Sequence, residues 1–600
     1  MSSEFNFNLN FEDLYALAGI KKIDQEFIGF LNEINPVLTE QLLELRTRQE
    51  HYTAKFTIEL APYLELFLVK LFNLTEEVNE LCCAAKELNF VYECKRNFIQ
   101  KKVVRKYKNE DLSNLSILAL TKNIENIIGA YSDYKFAKYI SENHEKLEVF
   151  AQYAAINIFV KNNHPDSILF KFPQNLNYDN LLNTTTADII SFKPEKLRQR
   201  SSFNLTDAGI KAAAAQNEVN YSIICHDRAK DSCSKGLRDK TGEIQKSPLN
   251  IALNGCPLDE KISEMNLLRK SGNIIASLAT AMIDNPLIAA TGHRICNDCM
   301  KACIYQKQEP VNIPKIESET LKQVLNLPYG FELYSLLTRW NPLNIKRPYQ
   351  KGDSNYKILV VGQGPAGFNL AYHLTQEGHQ VIAIDGLKIE PLTHKFKAIK
   401  DIKTITSNLA ERVASGFGGV AEYGITVRWD KNNLDIIRLI LARNTNYKLY
   451  GGVRFGSQIT KEIAFKQLNF DHIALCMGAG SPNIIKLKNN LARGVKQASD
   501  FLMNLQLSTP YKQNSLANLQ IRLPIIVVGG GLTAIDSATE SLAYYPLQVE
   551  KFLKFYEELL EQNAASYISE NWSEEESLIA HEFITHAKLL RLEKAKKNGD

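Results

Sequence analysis

The stretch Tyr356–Gly386 constrains the fold more than any other part of the chain, because it reads as strand, tight turn, helix and strand. Apolar and β-branched residues at Lys357–Val361 predict a buried parallel strand. A G-x-G-x-x-G turn follows, formed by Gly362, Gly364 and Gly367. The first glycine permits the tight turn, the second allows a pyrophosphate close to the backbone, and the third lets the helix pack against the strand.

The rest of this stretch supplies a helix start and a carboxylate. Pro365 and Ala366 open the helix, where a missing N–H costs nothing, and Gly378 ends it. Asp385 closes the second strand about 20 residues past the turn, where an acid accepts the hydroxyls of an adenosine ribose. The pattern predicts a dinucleotide site. A glycine-rich turn without a ligand is the alternative.

Length and charge limit the function classes. Six hundred residues predict three or four domains, and a net charge of +4 favours neither nucleic acid nor an anionic membrane as partner. No apolar run approaches the roughly 20 residues of a membrane span, and the first residues lack a basic signal segment. We therefore expect a cytoplasmic protein, in which cysteines are metal ligands or buried thiols rather than disulfides.

Residues 1–200 predict an all-α domain, because apolar residues recur there at helical spacing with few Gly or Pro. The basic, aromatic stretch Lys95–Lys108 favours a solvated helix face, or one that docks on an acidic partner, over a nucleic-acid surface. Nothing in this domain indicates chemistry, so we expect a docking or regulatory role.

Six of the ten cysteines fall in one block, and chance would not gather them so: Cys225, Cys233, Cys256, Cys296, Cys299 and Cys303. The last three have C-x2-C-x3-C spacing, which lets thiolates converge with little loop-closure cost. Six thiolates exceed the four ligands of one zinc ion. They favour two iron–sulfur clusters completed by two other ligands, while zinc and metal-free thiols stay open.

The order of motifs in this block resembles a known family. Gly255-Cys256-Pro257 is followed by a helical spacer with Asp284-Asn285-Pro286, then by the second cysteine set and by Ile313-x-x-Ile316-Glu317. Over about residues 220–545 the chain is similar to the NAD(P)H-dependent glutamate synthase small-subunit family, whose iron–sulfur domain also opens dihydropyrimidine dehydrogenase. The G-x-G-x-x-G turn follows about 50 residues later in that family too.

The resemblance implies two [4Fe–4S] clusters. Cys256, Cys296 and Cys299 would hold one, with Glu317 as candidate fourth ligand or, alternatively, as a surface acid. Cys225, Cys233 and Cys303 would hold the other. This chain has one cysteine fewer than the family there, after an insertion before Cys256. His226 or Asp227 would then substitute, or the second cluster is labile or absent.

The resemblance also implies FAD at the first glycine turn. The segment SGFGGVAEYGI contains Gly418 and Gly419, which would pass close to the flavin, and a simple glycine-rich loop is the alternative. Gly478, in a small-residue turn after a strand, would mark where the chain returns toward the FAD. The sequence contains no C-x-x-C motif in the part that would surround the flavin, so a dithiol mechanism is not expected.

A second motif, Leu523–Ser541, predicts a strand, a glycine turn and a helix that ends at Tyr544-Tyr545-Pro546. By resemblance it binds NAD(P)H through Gly529, Gly530, Gly531, Thr533 and Ala534. Charged helical sequence follows, and no later strand carries the residues that would read the nucleotide ribose. Three readings stay open, namely a split protein completed by a second polypeptide, a truncated product, or a long insertion.

Together these features predict an α/β flavoprotein with two Rossmann-like dinucleotide-binding domains, preceded by a helical iron–sulfur domain and an all-α domain. The expected bounds are 1–200, 201–345, 346–522 and 523–600. The implied function passes electrons from NAD(P)H through FAD and iron–sulfur clusters to a protein acceptor like the glutamate synthase large subunit. A scaffold without NAD(P)H turnover and a zinc-stabilised regulator are the alternatives. No catalytic residue is assigned.

Overall fold

The structure is a computed structural model of the chain. It describes residues 4–48, 53–108, 110, 112–143, 145–160, 163–164, 167–173, 175–178, 184–185, 191–192, 203, 205, 207–225, 231–392, 394–424 and 429–596. The chain forms two compact units. The first comprises Met1–Glu195, Gly209–Gln350 and Lys397–Thr404, and the second comprises Lys196–Ala208, Lys351–Phe396 and Ile405–Asp600.

The first unit is predominantly helical. Its α-helices are α1 (Leu17–Ile34), α2 (Pro36–Arg48), α3 (Ala54–Phe72), α4 (Thr75–Cys94), α5 (Arg105–Tyr107), α6 (Ile117–Ile128), α7 (Asp133–Glu142), α8 (Leu147–Phe159), α9 (Ala212–Tyr221), α10 (Ser232–Lys235), α11 (Ile262–Lys270), α12 (Ile274–Ala281), α13 (Gly292–Ile295), α14 (Asp298–Lys301), α15 (Ile313–Leu325) and α16 (Gly330–Arg339). Short antiparallel strands β1 (Thr184–Thr185) and β2 (Ser191–Phe192) pair with each other. A π-helix spans Lys95–Val104, and 3-10 turns span Phe11–Leu14 and Ile288–Ala290.

The N-terminal helices share buried polar contacts with the later part of this unit. Glu65 of α3 accepts the backbone N–H of Ala276 at 2.8 Å and so caps the start of α12. Asp24 of α1 accepts the indole N–H of Trp340 at 2.9 Å. The predicted helical character of the N-terminal region is confirmed, and its helices are fastened to the half that carries the cysteine block.

The second unit contains a parallel sheet of four strands in the order β5–β4–β3–β6. The strands are β3 (Lys357–Val361), β4 (Gln380–Asp385), β5 (Tyr447–Gly451) and β6 (His472–Leu475). The helices are α17 (Pro365–Gln376), α18 (Val420–Tyr423), α19 (Asn432–Ala442), α20 (Ala498–Ser508), α21 (Leu532–Gln562), α22 (Ala565–Ser569) and α23 (Glu574–Lys596). A π-helical turn at Ile463–Gln467 also belongs to this unit, and a 3-10 turn at Ile402–Ile405 spans the point where the chain passes from the first unit to the second.

The sheet has its strand, turn and helix where the first glycine motif predicts them. Val360 pairs in register with Ala383 of β4 and with Ala474 of β6. Helices α17 and α19 contact the sheet, and the apolar side chains of β3 are buried. The α/β Rossmann-like part of the predicted fold class is therefore confirmed for this sheet.

Helix α21 corrects one expectation. It continues through Pro546 to Gln562, although the sequence predicts its end at Tyr544-Tyr545-Pro546. A proline inside a helix leaves the carbonyl four residues earlier without its donor. That residue is Leu542, which is exposed, so water can reach the carbonyl, while Tyr544 and Val549 are buried with the apolar face of α23. The packing outweighs the cost of the proline. None of the described helices has the length and apolar character of a membrane span.

Candidate functional site

The turn between β3 and α17 requires glycine at two positions. Gly362 has φ +91°, and a Cβ atom there would lie 2.5 Å from the carbonyl oxygen of Cys476. A Cβ atom at Gly367 would lie 1.8 Å from the carbonyl oxygen of Gly362. The tight turn and the close packing of α17 that the motif predicts are therefore both present.

The Asp385 carboxylate is hydrogen-bonded to the backbone of this turn. Its Oδ2 accepts the backbone N–H of Gln363 at 2.9 Å, and its Oδ1 accepts the N–H of Leu387 at 3.0 Å. A carboxylate has about four lone-pair sites, so both oxygens keep capacity for further donors. The side chain is half-buried at the carboxyl end of β4.

The glycine loop far along the chain lies against the same turn. Gly418 donates its N–H to the carbonyl of Gln363 at 3.0 Å. A Cβ atom at Gly419 would lie 2.9 Å from the Cα atom of Gly364. Two segments that the resemblance assigns to one ligand are therefore in contact, at a distance that requires glycine at position 419.

The turn lies at the switch point of the sheet. The chain passes from β3 to β4 and β5 on one side, and β6 pairs on the other side of β3. Cys476 follows β6 and donates its N–H to Val361 at 2.8 Å, and Gly478 comes two residues later. In open α/β sheets the ligand crevice lies outside the carboxyl ends of the strands at this point. Gly362, Asp385 and Gly419 all lie there.

Sequence reasoning missed several buried polar residues beside this turn. Gln363 is fully buried and accepts a hydrogen bond from the hydroxyl of Tyr447 at 2.7 Å. Arg412 and Glu422 form a buried ion pair at 2.6 Å. Lys431 donates from Nζ to the carbonyl of Ala421 at 2.7 Å. The sequence gives little indication of this cluster, because Glu422 is the single acid in the SGFGGVAEYGI segment and its cationic partners lie outside that segment.

The second glycine motif is only partly formed, which corrects the predicted strand at Leu523–Val528. Helix α21 begins directly after Gly531, with Thr533 and Ala534 in its first turn. The described residues before it form no ladder, and Ile526 is 85% exposed. A Cβ atom at Gly530 or Gly531 would meet nothing within 4 Å. A strand needs a neighbour for its backbone groups, and this segment has none among the described residues.

The cysteines of the first unit form two groups. Interaction between Cys233 and Cys303 raises the pKa of Cys233 and lowers that of Cys303, and the charges of both thiols interact with Cys225. The second group contains Cys256, Cys296, Cys299 and Glu317, whose charges act on one another. These are the two sets that the resemblance implies.

The insertion before Cys256 does not separate it from Cys233. Residues 237–253 fold back on themselves, since Leu237 donates its N–H to Leu253 at 2.9 Å. Cys256 then donates its N–H to the carbonyl of Cys233 at 2.8 Å. Gly255 has φ +83°, and a Cβ atom there would lie 2.5 Å from the nitrogen of Gly236. The two cysteine sets are thus neighbours despite the insertion.

The second group differs from the first in containing a carboxyl. Burial and the neighbouring Glu260 raise the pKa of Glu317 well above its usual range, and burial raises the pKa of Cys256 to about 11. Three thiols and a carboxyl interact electrostatically there, whereas the first group has three thiols alone. His226 and Asp227 lie outside the described residues. Within the described part of the chain, no group of three or more His, Cys, Asp or Glu is arranged to hold a metal ion.

Comparison with known proteins assigns two parts of the chain. Residues 5–73 match the RP005 N-terminal alpha-helical domain, and residues 356–570 match the pyridine nucleotide-disulphide oxidoreductase family. The second match covers the sheet, both glycine motifs and all of α21. This part of the chain is therefore an oxidoreductase domain of the flavin type.

Three relatives illustrate the range of similarity. "Uncharacterized protein RP006" of Rickettsia prowazekii is 58% identical over 315 residues, which are 52% of this chain and 43% of that protein. The glutamate synthase [NADPH] small chain of Bacillus subtilis is 25% identical over 315 residues, 51% of this chain and 54% of that protein. The chain thus spans about half the length of these two relatives.

A third relative is covered almost completely. "Uncharacterized protein RP005" of Rickettsia prowazekii is 33% identical over 296 residues, which are 44% of this chain and 98% of that protein. The N-terminal helical domain that bears its name also matches here. The chain therefore belongs to the RP005 family.

Proposed function

We propose that the chain is an FAD-dependent oxidoreductase that takes electrons from NADPH or NADH and passes them to iron–sulfur clusters and a protein acceptor. One observation carries the proposal. The Gly362–Gly367 turn, Asp385 and the Gly418–Gly419 loop meet at the carboxyl edge of the parallel sheet. That is where a dinucleotide binds in folds of this kind.

The residues present fit FAD. The backbone N–H groups of Ala366 and Gly367, at the start of α17, would face the pyrophosphate. Asp385 would accept the ribose hydroxyls with the lone pairs that its two backbone contacts leave free. Gly364 has room beside Gly419, since a Cβ atom at residue 364 would make only an ordinary 3.7 Å contact. When bound, FAD converts two-electron hydride chemistry into one-electron steps.

The cysteine groups support the electron path. Cys256, Cys296, Cys299 and Glu317 would hold one cluster, and Cys225, Cys233 and Cys303 would take part in a second. The similarity to a glutamate synthase [NADPH] small chain favours NADPH as donor, and a protein like the large subunit as acceptor. We place this reaction in the cytoplasm. Neither nucleic acid nor a membrane is a proposed partner.

Anaerobic purification of the full chain tests this function. The expected preparation is coloured, releases FAD on denaturation, and contains iron and acid-labile sulfide. A colourless preparation that contains zinc would contradict it and favour the zinc-stabilised regulator. A preparation that contains FAD but no iron would support the FAD site and contradict the proposed clusters.

A second function is favoured by the exposed segment at Leu523–Val528. With its strand unpaired, the second motif lacks the sheet that would support NAD(P)H, and the chain would then be an FAD-binding scaffold, or would need a second polypeptide for turnover. Adding NADPH to the anaerobic holoprotein separates the two. Loss of flavin absorbance supports the oxidoreductase, and unchanged absorbance supports the scaffold.

A further inference from the structure

Six charged residues, five of them buried and Asp435 half-buried, form a network in the second unit, and the proposed function uses none of them. The network consists of Arg412, Glu422, Lys431, Asp435, Asp536 and Glu540. Lys431 is 6% exposed and Glu540 is 0% exposed. Burying a charge is costly unless the charge is paired and hydrogen-bonded. The arrangement therefore needs a reason.

The network holds the glycine loop on one side. Lys431 Nζ donates to the carbonyl of Ala421 at 2.7 Å, and Arg412 Nη1 donates to Glu422 Oε1 at 2.6 Å. Ala421 and Glu422 in turn donate their N–H groups to the carbonyls of Gly418 and Gly419, at 3.0 and 2.9 Å. Two buried cations thus fix the residues that follow the glycines touching the first nucleotide turn.

The network reaches the second glycine motif on the other side. The Lys431 ammonium lies near the carboxylates of Asp536 and Glu540, both in α21. Asp536 comes five residues after Gly531, in the second turn of that helix. Lys431 is thus bonded to the loop of the first motif and attracted by the acids of the second motif's helix.

We propose that Lys431 is a positioning residue that holds the Gly418–Gly419 loop in place for FAD through its hydrogen bond to the Ala421 carbonyl. This rests on the proposed FAD site. The ammonium donates to the loop carbonyl and is attracted by the acids of α21 and by Glu422. Without the ammonium, the loop is held less firmly against the first turn, and only the fraction of molecules with the loop in place binds FAD at full affinity.

The charge of Lys431 gives the proposal a readout beyond folding. The pKa of Lys431 is lowered to about 8, mainly by burial; Glu422 opposes this shift, Arg412 adds to it, and Glu540 and Asp536 oppose it. On its own helix, Asp435 pairs with Arg412 at 3.5 Å. The buried phenol of Tyr511, near Glu540, has a pKa raised by burial to about 12 and stays neutral at pH 7 to 9. As pH rises through about 8 the ammonium loses its proton, and FAD affinity should fall.

The experiment titrates FAD into apoprotein of the full chain, with K431M, K431R and the exposed-lysine control K488M. A lost hydrogen bond to a charged group weakens binding by roughly tenfold to hundredfold, so K431M should raise the Kd for FAD at pH 7 by about tenfold or more. K431R should stay within about threefold of the wild type, since it keeps the charge. Wild-type affinity should fall between pH 7 and 9, and that of K431M should not.

Three results would overturn the proposal. In the first, K431M has the same Kd for FAD as K488M. In the second, the Kd of the wild type is the same at pH 7 and pH 9. Either result would leave Lys431 a purely structural role. If K431M does not fold, the wild-type pH profile and K431R still decide. If neither the wild type nor K488M binds FAD, the proposed function fails, and the positioning role fails with it. If the wild type binds FAD and K431M binds it equally well, the positioning role alone is refuted and the FAD site stands.

Discussion

The two glycine motifs of this chain have similar sequences and different structures. At the first, β3 pairs on both sides, and the turn is packed so closely that Gly362 and Gly367 have no room for a side chain. At the second, α21 forms after Gly531, yet the segment before it is unpaired and exposed. A glycine motif therefore specifies a turn and a helix locally, whereas the strand depends on neighbours that the motif does not encode.

The largest expected difference between the motifs lies in their apolar runs. Leu359 in β3 is 0% exposed, so L359A should lower the free energy of unfolding of the second unit by about 2–5 kcal/mol. I526A should change it by less than about 0.5 kcal/mol, because Ile526 is already solvated. Urea denaturation of the full chain measures both. A cost above about 1 kcal/mol for I526A would show a buried strand there.

The first glycines of the two turns offer a smaller contrast. G362A combines a positive φ with a backbone clash at 2.5 Å, and we expect a loss of about 2–4 kcal/mol. Gly529 also has a positive φ, but the nearest atom to its Cβ position is 3.5 Å away. G529A should therefore cost only about 1 kcal/mol, from backbone strain alone. Equal losses in thermal melts would mean that both turns are equally packed.

Asp385, at the end of β4, is a further difference between the two motifs, because the described residues after α21 contain no strand that ends in an equivalent acid. An asparagine at 385 offers a single acceptor oxygen, so D385N should lose one of the two backbone contacts, about 1–2 kcal/mol of stability. It should also bind FAD more weakly. D353N, an exposed acid in the same unit, is the matched control in denaturation and FAD-retention assays. Unchanged FAD retention in D385N would remove the ribose role of Asp385.

The sequence predicted the first motif correctly because all its requirements are local. Gly362, Gly367 and Asp385 act within one strand–turn–helix–strand segment, and the structure places each as expected. The prediction of a strand at Leu523–Val528 was wrong because strand pairing depends on residues far away in the sequence. The helix end at Pro546 failed because burial of Tyr544 and Val549 against α23 outweighs a local preference.

The contact between distant segments could be inferred only from a resemblance. Nothing local to Gly418 and Gly419 indicates that they touch Gly364, and nothing local to Lys431 indicates a bond to Ala421. The cysteine groups are similar, since the backbone contact between Cys256 and Cys233 depends on how residues 237–253 fold. Metal binding by these groups stays a prediction, as do the assigned ligands and the four domain bounds.

Titration of FAD into apoprotein of the full chain, with G364A and G531A as paired variants, tests the central claim most directly. Neither added methyl group clashes with the protein, so the fold should survive in both. We predict one FAD per chain, a Kd raised by about tenfold or more in G364A, where the methyl group meets the pyrophosphate, and an unchanged Kd in G531A. No FAD binding by the wild type, or a loss confined to G531A, would contradict the assignment of the first turn as the FAD site.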